Sequence, residues 1–251
     1  MKKIILPLAL TLSVLATPVM AKTYRIATEG AYAPWNFLDD KGKLAGFEID
    51  LGLALCKEAK IECEFKANEW DSIIPNLVAG NYDMIMAGMS ITDKRKEKIN
   101  FSDEYYPVEP SQMAAEAGKK FDFDNLKGLK IGVQGATVQA GWLEDNLAKD
   151  NTIKSYEKPD QSVADLAAGN IDLLLADGTF IEPIVKASKG AMEIVGPGYD
   201  IGGGVAIGMR KDDADLSKKM NTAIAALKKS GEVDKLIKEY FKKGPFYSDN
   251  K

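Results

Sequence analysis

Short apolar runs alternate with stretches of helical period along this 251-residue chain, a pattern that predicts an α/β protein with largely parallel strands. Residues 24–28 predict the first strand, which ends at Glu29-Gly30 and a turn carrying Pro34. Phe47, Leu51, Ala54 and Leu55 fall at i, i+4, i+7 and i+8, one apolar helix face running towards Cys56. Residues 61–65 predict the next strand. Residues 73–78 predict a helix stopped by Gly80, because glycine tolerates the left-handed conformation common just beyond a helix end. Residues 82–87 are almost continuously apolar, as buried parallel strands are. Further strands are predicted at 130–133, 153–156 and 205–209, the last feeding helices over 213–229 and 233–240.

The chain also repeats itself. Leu77-Val78-Ala79-Gly80-Asn81-Tyr82-Asp83-Met84-Ile85-Met86-Ala87-Gly88 aligns with Leu166-Ala167-Ala168-Gly169-Asn170-Ile171-Asp172-Leu173-Leu174-Leu175-Ala176-Asp177, 89 residues on, with six of twelve positions identical. Gly-Asn turns are favoured at any helix-to-strand connection, which is one explanation. The other is two lobes of like α/β topology. In open α/β sheets ligands sit beyond the carboxyl ends of strands, so Gly88 and Asp177, which end the matched strands, become candidate site residues facing a cleft from opposite lobes.

The segment before Tyr106 goes with the first copy, and the strands at 130–133 and 153–156 go with the second. Pro107-Val108-Glu109-Pro110 and Ile201-Gly202-Gly203-Gly204 are candidate crossovers, although the glycine run also reads as a flexible loop. The expected organisation is a discontinuous first lobe, 22–109 plus 205–251, and a continuous second lobe, 110–204, joined by a two-strand hinge.

Residues 1–21 carry Lys2 and Lys3, a short apolar run and the small-x-small signal Val19-Met20-Ala21, the features of a signal peptide cut after Ala21 rather than of a spanning anchor. The mature chain would hold 31 basic and 37 acidic residues, a net charge of about −6 that suits neither nucleic acid nor anionic lipid but leaves room for an acidic pocket. No cysteine stands at the cut to accept a lipid, so the product is expected free in an extracytoplasmic space. In that oxidising setting Cys56 and Cys63 predict a disulfide across a short loop, contributing roughly 2–3 kcal/mol. A metal site is the weaker reading, since two thiolates do not complete one and the chain has no histidine. That lack also excludes Ser-His-Asp and Cys-His catalysis. No cofactor or metal is expected.

Four ordered segments carry a resemblance: Thr28-Glu29-Gly30-Ala31-Tyr32-Ala33-Pro34-Trp35, Gly46-Phe47-Glu48-Ile49-Asp50-Leu51, Trp70-Asp71-Ser72-Ile73-Ile74-Pro75 and Ala87-Gly88-Met89-Ser90-Ile91-Thr92-Asp93-Lys94-Arg95. Together they resemble successive signatures of the periplasmic polar amino-acid-binding proteins of ABC transporters, among them the lysine/arginine/ornithine-, histidine-, octopine- and nopaline-binding proteins. The similarity runs over the whole mature chain, the Cys56 and Cys63 spacing included. It implies a two-lobed periplasmic-binding-protein fold of type II, each lobe a mainly parallel sheet flanked by helices.

The resemblance also implies roles. Arg95 would hold a solute α-carboxylate in a two-pronged pair, aided by Ser90, although Lys94 to Lys98 on their own read as a solvated helix face. Asp177 would accept from the α-ammonium. Gly132 to Gln139 correspond to a strand-turn-helix segment, where Thr137 and open backbone N–H groups would bind the carboxylate and Gln134 lines the site. Val138 stands where a second hydroxyl is common, Gln134 where histidine-binding relatives carry leucine, and Ala87 and Gly88 where some relatives have serines, which shifts contacts towards backbone groups. Tyr32 and Trp70 would wall a side-chain pocket closed by Glu29, an arrangement suited to a guanidinium or ammonium. Without the resemblance, Trp70 reads as core and Glu29 as a turn acid.

The implied function is non-catalytic: a periplasmic monomer that binds arginine, lysine or ornithine between closing lobes and delivers it to the permease subunits of an ABC importer, with no nucleic-acid partner and no insertion into the membrane. Binding of an opine or another polar amino acid is the nearest alternative. A cyclohexadienyl dehydratase acting on prephenate or arogenate would use the same fold. A sensor domain is disfavoured by a chain ending at Lys251 without a spanning segment.

Overall fold

The computed structural model describes residues 22–248; the expected signal peptide and its cut after Ala21 lie outside them. The first strand, β1 (Thr23–Thr28), leads through β2 (Ala31–Tyr32), β3 (Asn36–Leu38) and β4 (Leu44–Ala45) into α1 (Phe47–Glu58), β5 (Glu62–Ala67), α2 (Trp70–Val78), β6 (Met84–Ile85), α3 (Asp93–Lys96) and β7 (Asn100–Tyr106). Next come β8 (Ser111–Glu116), β9 (Lys130–Gln134), α4 (Val138–Asn146), β10 (Thr152–Tyr156), α5 (Pro159–Ala167), β11 (Leu173–Asp177), α6 (Gly178–Ala187) and β12 (Met192–Tyr199). The described chain ends with β13 (Val205–Met209), α7 (Ala214–Ser230) and α8 (Glu232–Phe241).

These strands form two five-stranded sheets, β5-β1-β6-β13-β7 and β10-β9-β11-β8-β12, and a small sheet β2-β3-β4. Pairing is parallel among β5, β1 and β6 and among β10, β9 and β11. One strand in each sheet, β13 or β8, runs against both neighbours. The reversal follows from the crossings. When β7 leaves the first sheet, β8 enters the second beside the end of β11, with Ser111 opposite Asp177. When β12 leaves at Tyr199, also opposite Ser111, β13 enters the first sheet with Val205 opposite Tyr106, the end of β7.

The internal repeat is a structural one. After α2 and after α5 the chain makes the same Schellman turn: Asn81 N–H donates to Asn76 O and Gly80 N–H to Leu77 O, matched by Asn170 to Asp165 and Gly169 to Leu166. Gly80 and Gly169 take φ of 82° and 71°, where a side chain would be strained. Asp83 and Asp172 then do one job: each donates its N–H to the neighbouring strand, at Arg25 O or Lys130 O, and accepts that residue's N–H on its carboxylate at 3.0 or 2.9 Å. A favoured Gly-Asn turn alone would not require the aspartate.

Apolar spacing places the helices on the sheets. Phe47, Leu51 and Leu55 on α1 are fully buried with Ile26 of β1 and Met84 of β6, while Ile131, Val133, Leu173 and Leu175 form the core of the second sheet. Cys56 and Cys63 form a disulfide tying α1 to β5. Asp83 also accepts from Lys22 Nζ and Arg210 Nη2, both at 3.1 Å. Burial pushes its carboxyl up, but these bonds and that from Arg25 hold it below the ordinary aspartate value. The strand expected over 82–87 narrows to Met84–Ile85, because Asp83 turns its side chain to Arg25 and the chain bends at Gly88, although Met86 N–H still donates to Ala27 O.

Candidate ligand-binding site

Where the parallel strands of both sheets end, a small pocket lies between them, its free volume only about 20 Å³. Its lining brings together all ten residues singled out in the sequence: Glu29 after β1, Tyr32 of β2, Trp70 starting α2, Ala87, Gly88 and Ser90 after β6, Arg95 of α3, Gln134 ending β9, Thr137 capping α4 and Asp177 ending β11. Val138 and Gln139 complete it.

Arg95 is placed by a tight local design. Thr92 caps α3 by accepting Arg95 N–H at 3.2 Å, and Arg95 Nη1 donates to Ser90 O at 2.7 Å. The guanidinium lies 5.2 Å from the Trp70 ring centroid. Burial pulls its pKa down to about 10, with the Asp177 charge acting the other way, so it stays a cation at neutral pH. Guanidinium has five N–H donors, and a carbonyl occupies only part of that fork, so an anion can still be held two-pronged. Thr137 offers less than its position promised. Its hydroxyl donates to Gln134 O at 2.8 Å and accepts Ala140 N–H at 3.1 Å, so its hydrogen serves the loop, and the donors left for an anion there are the backbone N–H groups starting α4.

Beside this cation the site turns acceptor-rich. Asp177 Oδ2 accepts from Tyr32 O–H across the cleft at 2.7 Å, and Oδ1 accepts from Gln139 Nε2 at 2.8 Å. Burial raises the Asp177 carboxyl above its ordinary value, opposed by these two donors and by Arg95. Gly88 N–H donates at 2.7 Å to Glu48, which lies wholly buried behind the cavity.

At the side-chain end, Glu29 Oε1 accepts from Gln134 Nε2 at 2.7 Å, again across the cleft. Burial raises Glu29 to about 7; Gln134 and Lys158 oppose this, and Glu69 and Asp71 add to it. Lys158 lies 3.5 Å from Glu69, a further bridge across the cleft. Tyr32 stacks on Phe180 with centroids 4.4 Å apart and planes 5° apart, so one face of this aromatic wall is covered by protein. The Trp70 indole N–H is buried with no acceptor among the described residues. Trp35 Nε1 donates to Thr179 at 3.0 Å, adding another buried contact across the cleft. Sequence reasoning missed Gln139 and Glu48 as parts of the site, although both stood inside quoted segments. Each reads in sequence as an ordinary polar residue of a helix first turn, so nothing in the sequence marked it.

Comparison with known proteins agrees in kind. The family model of bacterial extracellular solute-binding proteins, family 3, matches residues 24–243. The chain is 38% identical to the lysine/arginine/ornithine-binding periplasmic protein of Escherichia coli, covering 96% of this chain and 97% of the relative. It is 42% identical to the octopine-binding periplasmic protein of Rhizobium meliloti, over 78% and 76%. A solved periplasmic His/Glu/Gln/Arg/opine family-binding protein from Silicibacter pomeroyi, in complex with lysine, superposes with a TM-score of 0.83 at 41% identity, covering 90% of this chain and all of that one.

Proposed function

Since the chain belongs to the bacterial extracellular solute-binding proteins, family 3, we propose that it is the periplasmic component of an ABC importer, binding arginine, lysine or ornithine and passing it to the permease subunits. The two-lobed type II periplasmic-binding-protein fold supplies the frame. The carrying observation is one cavity that offers a guanidinium at Arg95, acceptors at Asp177 and Gly88, and a partly buried carboxylate at Glu29 that has no ion pair among the described residues. A cationic L-amino acid has the complementary series: carboxylate, ammonium, cationic tip.

The lobes are read as 22–109 plus 205–251 and 110–204, which fits the division of strands between the two large sheets. Site residues then sit on both lobes, so a ligand makes its full set of contacts only in the closed form and draws the population towards it. Secretion by a signal peptide cut after Ala21, and action as a monomer without catalysis, complete the reading. Opines stay on the ligand list because the Rhizobium relative is named for one.

A calorimetric screen over arginine, lysine, ornithine, histidine, glutamine, octopine and nopaline tests the proposal, alongside turnover assays with prephenate and arogenate. Tightest binding among the three cationic amino acids is expected. Tighter binding of glutamine or an opine, or turnover of either acid at an enzymatic rate, overturns it.

A further inference from the structure

Gly88 and Asp177 occupy matched positions of the repeat and each is held by the second residue of a helix, and we propose that Glu48 and Gln139 are counterpart positioning residues, each setting its lobe's acceptor for the ligand's α-ammonium. The inference rests on the proposed amino-acid ligand. Glu48 is the second residue of α1, and Gln139 the second of α4. Both are buried, at 0% and 4% exposure, where a long polar side chain needs a dedicated partner. Each reaches the matched residue of its lobe, one in the loop after β6 and one at the end of β11: Glu48 Oε1 accepts from Gly88 N–H, and Gln139 Nε2 donates to Asp177 Oδ1.

Their chemistry is opposite, and the results converge. As an acceptor, Glu48 occupies the N–H of Gly88, so the carbonyl is the only polar group that Gly88 can offer a ligand. Gly88 holds φ at 60°, with its nearest prospective Cβ neighbours, Tyr32 and Trp35, at 3.8 and 3.9 Å. The constraint there is therefore the backbone conformation rather than space. As a donor, Gln139 fixes one oxygen of Asp177 while donating also to Ser111 Oγ at 3.0 Å, and a carboxylate so held keeps lone pairs for a second donor. Both lobes thus present acceptors, the complement of an ammonium.

Glu48 reaches further. It accepts from Tyr105 O–H, and its Oε2 accepts from Asn36 Nδ2 at 2.7 Å, while Asn36 Oδ1 accepts Gly30 N–H at 2.7 Å. One buried carboxylate therefore fixes the loop after β6 and, through Asn36, the loop that carries Glu29.

The test compares arginine with 5-guanidinopentanoate, which keeps the carboxylate and guanidinium and lacks the α-ammonium. In wild type, Glu48→Gln and Gln139→Leu, calorimetry gives the affinity ratio of the two. Each variant is expected to lower that ratio about tenfold or more, as losing a bond that orders a charged contact does. An unchanged ratio, whether both affinities fall together or neither falls, overturns the proposal. Hydrogen exchange on the ligand-free wild type serves if a variant does not fold or if wild type binds neither compound, the latter refuting the ligand reading separately. The Gly30 and Gly88 amides are expected to exchange as slowly as strand amides although both lie outside the strands, and exchange at loop rates overturns the proposal.

Discussion

Arginine affinity should rise about tenfold from pH 6 to pH 8, and Glu29 should be the cause. Its pKa of about 7 reflects burial first, lowered by Gln134 and Lys158 and raised by Glu69 and Asp71. Only the ionised form pairs with a cation, so apparent affinity scales with the ionised fraction, roughly 0.1 at pH 6, 0.5 at pH 7 and 0.9 at pH 8. The chain has no histidine, so no side chain of ordinary pKa competes for this window. Stability has the opposite sign. A carboxyl raised from 4.5 to about 7 binds its proton more tightly in the folded state, so the ligand-free protein loses stability as pH climbs through that range, by about 3 kcal/mol at most. Glu29→Gln should remove both effects. The ligand-free variant should unfold at a higher temperature than wild type above pH 7, bind arginine about 2–4 kcal/mol more weakly at pH 8, and lose the pH slope. Calorimetry at three pH values in buffers of different ionisation enthalpy reads the affinity and the release of roughly half a proton at pH 7. An arginine affinity independent of pH, or an equal slope in Glu29→Gln, would refute the reasoning.

Arg95→Ala should abolish detectable calorimetric binding of arginine, lysine and glutamine alike, because Arg95 is the one basic residue lining the cavity and the group proposed to hold their shared carboxylate. Asp83→Asn should lower unfolding free energy in urea by about 1–3 kcal/mol with ligand affinity kept, since it weakens the bonds that partly exposed Lys22, Arg25 and Arg210 make to a buried carboxylate away from the cavity. The Asp83 carboxyl is held below its ordinary value, so its stabilisation is present at neutral pH and lost as acid protonates it; the wild-type acid-unfolding curve should therefore be steeper than the variant's. Replacing Cys56 and Cys63 together by serine should lower stability by roughly 2–3 kcal/mol and leave arginine affinity unchanged by calorimetry. Saturating arginine should reduce the radius of gyration measured by small-angle scattering, and an unchanged radius would count against closure.

What the sequence made legible, and what it hid, divides along burial. Helix α1 was visible because burial of one face against a sheet demands the helical period, and β13 because a strand covered on both faces is continuously apolar. Strand β8 lies inside its sheet, yet its sequence, Ser-Gln-Met-Ala-Ala-Glu, has no β-branched residue, and β12 carries Gly196, Pro197 and Gly198 on an edge that tolerates them. Strands β2, β3 and β4, two or three residues each, are too short to establish a period. At the site, family motifs picked out residues that line the cavity, while Glu48 reads in sequence as an ordinary acid of a helix first turn. Only the fold reveals that Gly88, Asn36 and Tyr105 enclose it.

The contacts across the cleft bear on how selectivity and closure are joined. Glu29 and Asp177, the two carboxylates assigned to the ligand's cationic groups, each accept from a donor on the opposite side, Gln134 and Tyr32. A carboxylate has about four lone-pair positions, so a ligand donor can add to these bonds without displacing them. If the lobes close as proposed, each acceptor is oriented from across the cleft by that movement, and a solute too large to let Tyr32 reach Asp177 would give up the orientation of its own ammonium contact. Lys158 beside Glu69 sets the same condition at the rim. Size is then read through closure and charge through Glu29, which predicts that Tyr32→Phe weakens arginine and lysine by similar factors, whereas Glu29→Gln spares glutamine.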